Sequence, residues 1–323
     1  LIEERTPLGR VAATLIAGGA ALDGADAEAA WPEKPIRIVV PFAPGGTSDQ
    51  IARIFQKSIE ENNLSSQPLT IVNIGGHYSV GARQAKDAPA DGYNFLVLHV
   101  ALMGGEGSGA VDFGYRDFDA VATTSEFCLT PAVMESSPIK TTGDLVNDAK
   151  ANPDSIVFGV NIGAINHMAA LMLQETTPGA RFRFVQVGGG AENFKQLAGG
   201  HTQAGVFSGA EYMSFKDSGV RALGWSGGER HPKLPDLPTL KEQGFDVQFC
   251  VANWWFAPKG TPQEAIDGMA AMLQKAMETP YVRQELDNRL FDAVFLQGDA
   301  MRASLDETWA RIEPVAKLAA VKK

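Results

Sequence analysis

Two cysteines, Cys128 and Cys250, are all that the 323 residues contain. A cysteine-built zinc site and a multi-bridge disulfide framework are therefore excluded by number. One bridge or two buried thiols remain, and the thiols are the default, because free cysteine is among the most buried residue types. Histidine is scarce too: the five histidines include no pair three or four residues apart. No HExxH, P-loop or EF-hand pattern occurs, so neither a metal nor a nucleotide cofactor is expected. Positive charge is short, with 28 Lys and Arg against 38 Asp and Glu, a net charge of -10. That disfavours nucleic acid, which needs cations to neutralise phosphates. An anionic ligand would have to be held by local dipoles rather than by the overall field. After the N-terminal segment no stretch approaches the roughly 18 apolar residues of a membrane span.

The composition otherwise suits a folded chain long enough for two domains, with 45% apolar and 20% charged residues. Arg10, the apolar stretch Val11 to Leu22 and Ala27-Glu28-Ala29 read as a secretory signal peptide spanning 1–29. Glu3, Glu4, Asp23 and Asp26 are atypical of such a segment.

The rest alternates strands and helices. Ile36 to Phe42 is a β-branched run, followed by the turn Gly45 to Asp49 and a helix over 50–61. Leu69 to Asn73, a turn at Gly75 to Ser79 and a helix over 80–86 repeat the pattern, and Asn94 to Val100 is a third strand. Further strands are predicted over 155–160, 183–187, 203–207 and 220–224, with helices over 166–175 and, after Gly188-Gly189-Gly190, through Leu197. The three prolines between His231 and Pro238 forbid regular structure there. A short helix over 239–243 should stop at Gly244, and helices over 262–278, 280–288 and 298–317 close the chain. The expectation is an α/β fold with mostly parallel sheets.

Gly224-Trp225-Ser226-Gly227-Gly228 matches G-x-S-x-G, but a nucleophile elbow needs a helix straight after it, and a proline-rich loop follows instead. Four glycine-rich turns survive as signals: Gly45 to Ser48, Gly75 to Ser79, Asn161 to Ala164 and Gly188 to Gly190. Each ends a strand before a helix, where open α/β sheets bind ligands and where free N–H groups favour anions. Ordinary βα turns favour glycine as well, so the weight rests on the four together.

Pro41-Phe42-Ala43-Pro44-Gly45-Gly46-Thr47-Ser48-Asp49 with Ile51-Ala52-Arg53 resembles the opening motif of the Bug-type receptors of tripartite tricarboxylate transporters. Pro89 to Tyr93, Lys140 to Leu145, Leu234 to Thr239 and Ala257 to Pro262 continue the likeness in order. The resemblance implies a two-lobed periplasmic binding protein, type II-like, each lobe a mostly parallel sheet flanked by helices, with two crossover strands. Lobe 1 would hold 31–128 and 252–323, and lobe 2 would hold 129–251. Such a receptor captures a di- or tricarboxylate, or an aromatic carboxylate, by lobe closure. It acts as a monomer and hands the ligand to membrane permease subunits. The ligand-binding residues it implies are Phe42, Gly46, Thr47, Ser48, Gly76, His77, Tyr78, Ser79 and Gly81 from the first lobe. From the second they are Asn161, Gly163, Ala164, Asn166, His167, Gly189 and Gly190. Asp49 belongs to the same motif as a ligand group or as a brace of the helix start.

The chain departs from the family pattern in places. Ala210 stands where an acceptor is common, and His77 and Tyr78 replace small residues. Both cysteines fall near the implied crossovers, where a bridge would pin the hinge in an oxidising compartment. Two other classes fit less of the sequence: a ligand-binding sensor module for a signalling receptor, and a serine hydrolase built on Ser226.

Overall fold

The computed structural model describes residues 31–320, and the signal-peptide reading of 1–29 lies outside them. Strand β1 (Ile36–Val40) leads through a glycine turn into α1 (Thr47–Glu61), which buries Ile51, Ile54, Phe55 and Ile59. β2 (Leu69–Asn73) and α2 (Tyr78–Lys86) repeat the unit, and β3 (Asn94–Leu98) follows. Next comes α3 (Ala101–Ser108), where sequence analysis placed no element. Its glycines each cost about 1 kcal/mol of helix propensity against alanine. Close packing requires them: a Cβ on Gly107 would lie 2.7 Å from that of Ala316, and one on Gly105 would collide with the Tyr78 hydroxyl.

β4 (Phe118–Met134) runs for 17 residues. The second α/β set comprises α4 (Thr142–Ala151), β5 (Val157–Val160), α5 (Ile165–Glu175), β6 (Arg183–Gln186), α6 (Gly190–Ala198), β7 (Ala204–Ser208), α7 (Gly209–Phe215) and β8 (Val220–Ala222). β9 (Cys250–Pro258), α8 (Gln263–Glu278), α9 (Pro280–Asn288), β10 (Phe291–Leu296) and α10 (Gly298–Leu318) complete the chain.

The strands are ordered β2-β1-β3-β9-β4-β7-β5-β6, with β8 and β10 also on β4. Parallel pairing joins β1 to β2 and β3, and β5 to β6 and β7. β4 is antiparallel to all its partners: Phe118 to Cys128 pair with β9, and Leu129 to Met134 pair with β7 and β8. One strand thus serves both parallel groups. Trp254 and Trp255 of β9 are fully buried, and the Trp255 Nε1 donates to Thr124 Oγ1 at 3.0 Å.

Two expectations need correction. Cys128 and Cys250 are bonded to each other, not two buried thiols. The antiparallel register of β4 and β9 sets them directly opposite, which brings the two Cβ atoms within bridging reach. No helix covers 239–243: Thr239 makes an isolated bridge to Trp225 and 240–244 form a turn. The Leu240 N–H donates to Trp225 O, an acceptor outside the turn, and Gly244 at φ 90° ends the turn after one reversal.

Candidate functional site

The carboxyl ends of β1, β5 and β6 each feed a helix through a short turn, and β7 runs directly into α7. Residues in the first turns of α1, α5, α6 and α7 line a single narrow space, a cavity of about 30 Å³. First-turn N–H groups have no acceptor within their own helix, and the helix dipole adds partial positive charge there. Phe42, Gly46, Thr47 and Ser48 approach from one side, and Asn161, Ala164, Asn166, Gly189 and Gly190 from the other. The Ser48 hydroxyl is fully buried and has no hydrogen-bond partner among the described residues. Gly189 must be glycine: a Cβ there would come within 2.9 Å of the Phe42 ring.

Cross-sheet hydrogen bonds hold the two sides together. The Thr47 Oγ1 donates to Ser208 Oγ at 2.7 Å, and Asn161 Nδ2 donates to Gly76 O at 3.2 Å. His77 Nε2 donates to Ile162 O at 3.0 Å, while its Nδ1 accepts from Ser79.

Glu211 and His99 are the titratable lining residues, besides Glu192, that sequence reasoning missed. Glu211 is 7% exposed. Its Oε1 accepts from Thr47 N and its Oε2 from Ser208 N, each at 3.0 Å. Burial pushes its carboxyl above the usual range, and the hydrogen bonds from Ser208 and Thr47 oppose that rise. His99 follows the end of β3, stacked on Phe42 with ring centroids 5.3 Å apart. Its Nδ1 accepts from Ala101 N at 3.3 Å, which makes Nε2 the protonated nitrogen. Complete burial pushes the His99 pKa down to about 3, so the ring is neutral near pH 7. Both residues carried a signal. Ser208-Gly209-Ala210-Glu211 is a capping box, and His99 lies just past the carboxyl end of a strand.

The remaining sequence-predicted residues lie outside the lining of this space. Asp49 accepts from Gly45 N and pairs with Arg53, bracing the start of α1. Gly76 has φ 92° and only lends its carbonyl to Asn161. His77 caps α2, its ring accepting from the Ser79 N–H. Tyr78 is buried beneath the turn, and burial raises its pKa. Gly81 lets α2 approach β1, since a Cβ would sit 2.7 Å from that of Pro41. Gly163 donates its N–H to His167 Nδ1 at 3.2 Å, and burial lowers the His167 pKa to about 4. Ser226 is structural in its contacts: Oγ donates to Phe249 O and accepts from Leu129 N, and no helix follows it.

The fold and the cleft lined by helix starts define the class: a solute-binding protein of the periplasmic type. The model of the tripartite tricarboxylate transporter family receptor matches residues 42–320, and the chain belongs to that family. It is 29% identical over 270 residues to the UPF0065 protein in the tcbD-tcbE intergenic region of Pseudomonas sp. (strain P51), covering 80% of this chain and 78% of the relative. Among solved structures, R. palustris Rpa4515 with adipate superposes with a TM-score of 0.81 at 25% identity, covering 90% of this chain and 98% of that one. The periplasmic binding protein BugD shares the fold at a TM-score of 0.80 and 24% identity, over 90% of this chain and 98% of its own. No helix among the described residues is long and apolar enough to cross a membrane.

Proposed function

We propose that the protein is a periplasmic receptor that captures a small carboxylate and delivers it to the membrane subunits of a tripartite tricarboxylate-type transporter. Residues 31–128 with 252–323 form one lobe and 129–251 the other, and the ligand is enclosed as they close, a hinge motion. The observation that carries this reading is the convergence of the first turns of α1, α5, α6 and α7 on one cleft, beside the unpartnered Ser48 hydroxyl. Backbone N–H groups at helix starts recognise a carboxylate without needing a cationic side chain. The adipate held by Rpa4515 supports the same class of ligand. The proposed contacts are the nine lining residues named from sequence, with His99 beside them. Gly76, His77, Tyr78, Ser79, Gly81, Gly163, His167 and Asp49 act at one remove, by shaping and joining the two turns. The protein is exported through its N-terminal segment, and no catalytic residue is assigned.

The test is a thermal-shift screen of the mature chain against succinate, malate, citrate, adipate, phthalate, terephthalate and protocatechuate, with sugars, amines and esters as controls. A ligand at 100 times its dissociation constant stabilises by about 2.7 kcal/mol. A shift from one or two acids, confirmed by calorimetry, is expected. A shift from controls alone would overturn the reading.

A further inference from the structure

We propose that Glu211 fills one anion position of this cleft with the protein's own carboxylate, so that the site selects a ligand with a single carboxylate and a hydroxyl, amide or amino donor facing Glu211. This rests on the carboxylate-receptor reading and narrows its ligand class.

The Glu211 carboxylate stands where a ligand's would be sought. It takes the first N–H of α1, from Thr47, and the N–H of Ser208 at the start of α7. It also packs against Gly190 at the start of α6, where a Cβ would collide with the carboxyl group. Three helix starts therefore converge on one carboxyl group; the two backbone N–H donors favour its ionised form against the burial that opposes it, and the favourable dipole interaction of that corner is spent within the protein.

What Glu211 offers next is acceptance. Each carboxylate oxygen has two lone pairs, and each accepts one backbone N–H here. The remaining lone pairs suit a hydroxyl, an amide N–H or an ammonium. They repel a second ligand carboxylate in a space where little water can screen it. The other charged group in the lining is Glu192, also acidic, and no lysine or arginine lines the space to offset them. The groups left for the ligand's own carboxylate are the Ser48 hydroxyl and the first turn of α5, at Ile165 and Asn166. The cleft is thus polarised, accepting at Glu211 and donating at Ser48 and α5.

The test compares dicarboxylates with their monoamides on the full mature chain by calorimetry at pH 7.5. The probes are succinate with succinamate, adipate with adipamate, and terephthalate with 4-carbamoylbenzoate. In the pair that fits the cleft, the wild type is expected to bind the monoamide at least about tenfold more tightly than the dianion. Glu211→Gln is expected to narrow or reverse that ratio, because a neutral amide no longer repels the second carboxylate. A wild type that binds the dianion as tightly as the monoamide, or more tightly, overturns the proposal and leaves the receptor reading standing. An unchanged ratio in folded Glu211→Gln also overturns it, leaving Glu211 as a helix cap. The wild-type ratio decides alone if the variant does not fold. Binding of none of the six acids overturns the carboxylate reading and this proposal with it.

Discussion

Glu211 Oε1 accepts a hydrogen bond from the backbone nitrogen of Thr47 at 3.0 Å, across 164 residues of sequence. The same carboxylate closes the capping box of its own helix through Ser208. One side chain thus fixes the start of α7 and ties it to the start of α1. Changes around it should alter both stability and ligand selection.

Gly190→Ala should show this coupling. The added methyl meets the Glu211 carboxyl, so either the helix start or the carboxylate must move. Overpacking of this kind costs about 1–3 kcal/mol. Denaturant melts should report that loss, and Gly190→Ala combined with Glu211→Gly should recover part of it. A variant as stable as wild type would show that the carboxyl group yields freely.

The disulfide gives a second expectation. It closes a loop with a sequence separation of 122 residues. In the chain-entropy view a loop of that size contributes on the order of 4–5 kcal/mol. Reductant should therefore lower the melting temperature of the wild type by several degrees and leave Cys128→Ala/Cys250→Ala unmoved. Alkylation under denaturing, non-reducing conditions should add no label, and two labels would contradict the bridge.

His99 makes stability depend on pH with a definite sign. Its folded pKa of about 3 lies below the ordinary 6.5, so the unfolded chain binds a proton that the folded chain refuses. Its contribution is fully present above about pH 6.5 and is lost progressively as pH falls towards 3, by about 1.4 kcal/mol per pH unit. His167, lowered to about 4, acts in the same direction. His99→Gln should be less stable than wild type at pH 7 and should lose less on going from pH 7 to pH 5. Parallel pH curves for the two proteins would count against a buried neutral ring.

Ser226→Ala separates structure from chemistry. The hydroxyl satisfies both Leu129 N and Phe249 O in a buried setting. Its loss leaves those groups unpaired and should cost about 1–3 kcal/mol. Esterase assays of the wild type should show no turnover. Hydrolysis that disappears in Ser226→Ala would revive the elbow reading.

The sequence made the parallel units legible because their signals are local. Ile36 to Val40 and the apolar spacing of α1 announce themselves within about 25 residues, and so do the glycine turns that border the cleft. β4 was less legible: its partners β7, β8, β9 and β10 are distant in sequence, and no period within 118–134 states which of them will pair. The glycines of α3 speak against a helix until Tyr78, Met168 and Ala316 are packed against them. The same limit applied at the site. Turn chemistry pointed to Thr47, Ser48 and Gly190, but His77 and Tyr78 looked equally available and proved to face the join and the interior. Glu211 was readable as a capping residue, but only tertiary structure brings it to Thr47.

The 17 residues of β4 also restrict how this chain can change over time. Side chains alternate faces along a strand, so inserting or deleting one residue near Cys128 would turn one sheet's contribution inside out while leaving the other's in place. The exposed positions 228–230 carry no such alternation. Length variation among related chains should therefore be depleted between Phe127 and Thr130, and a single-codon indel there should be lost where a substitution survives.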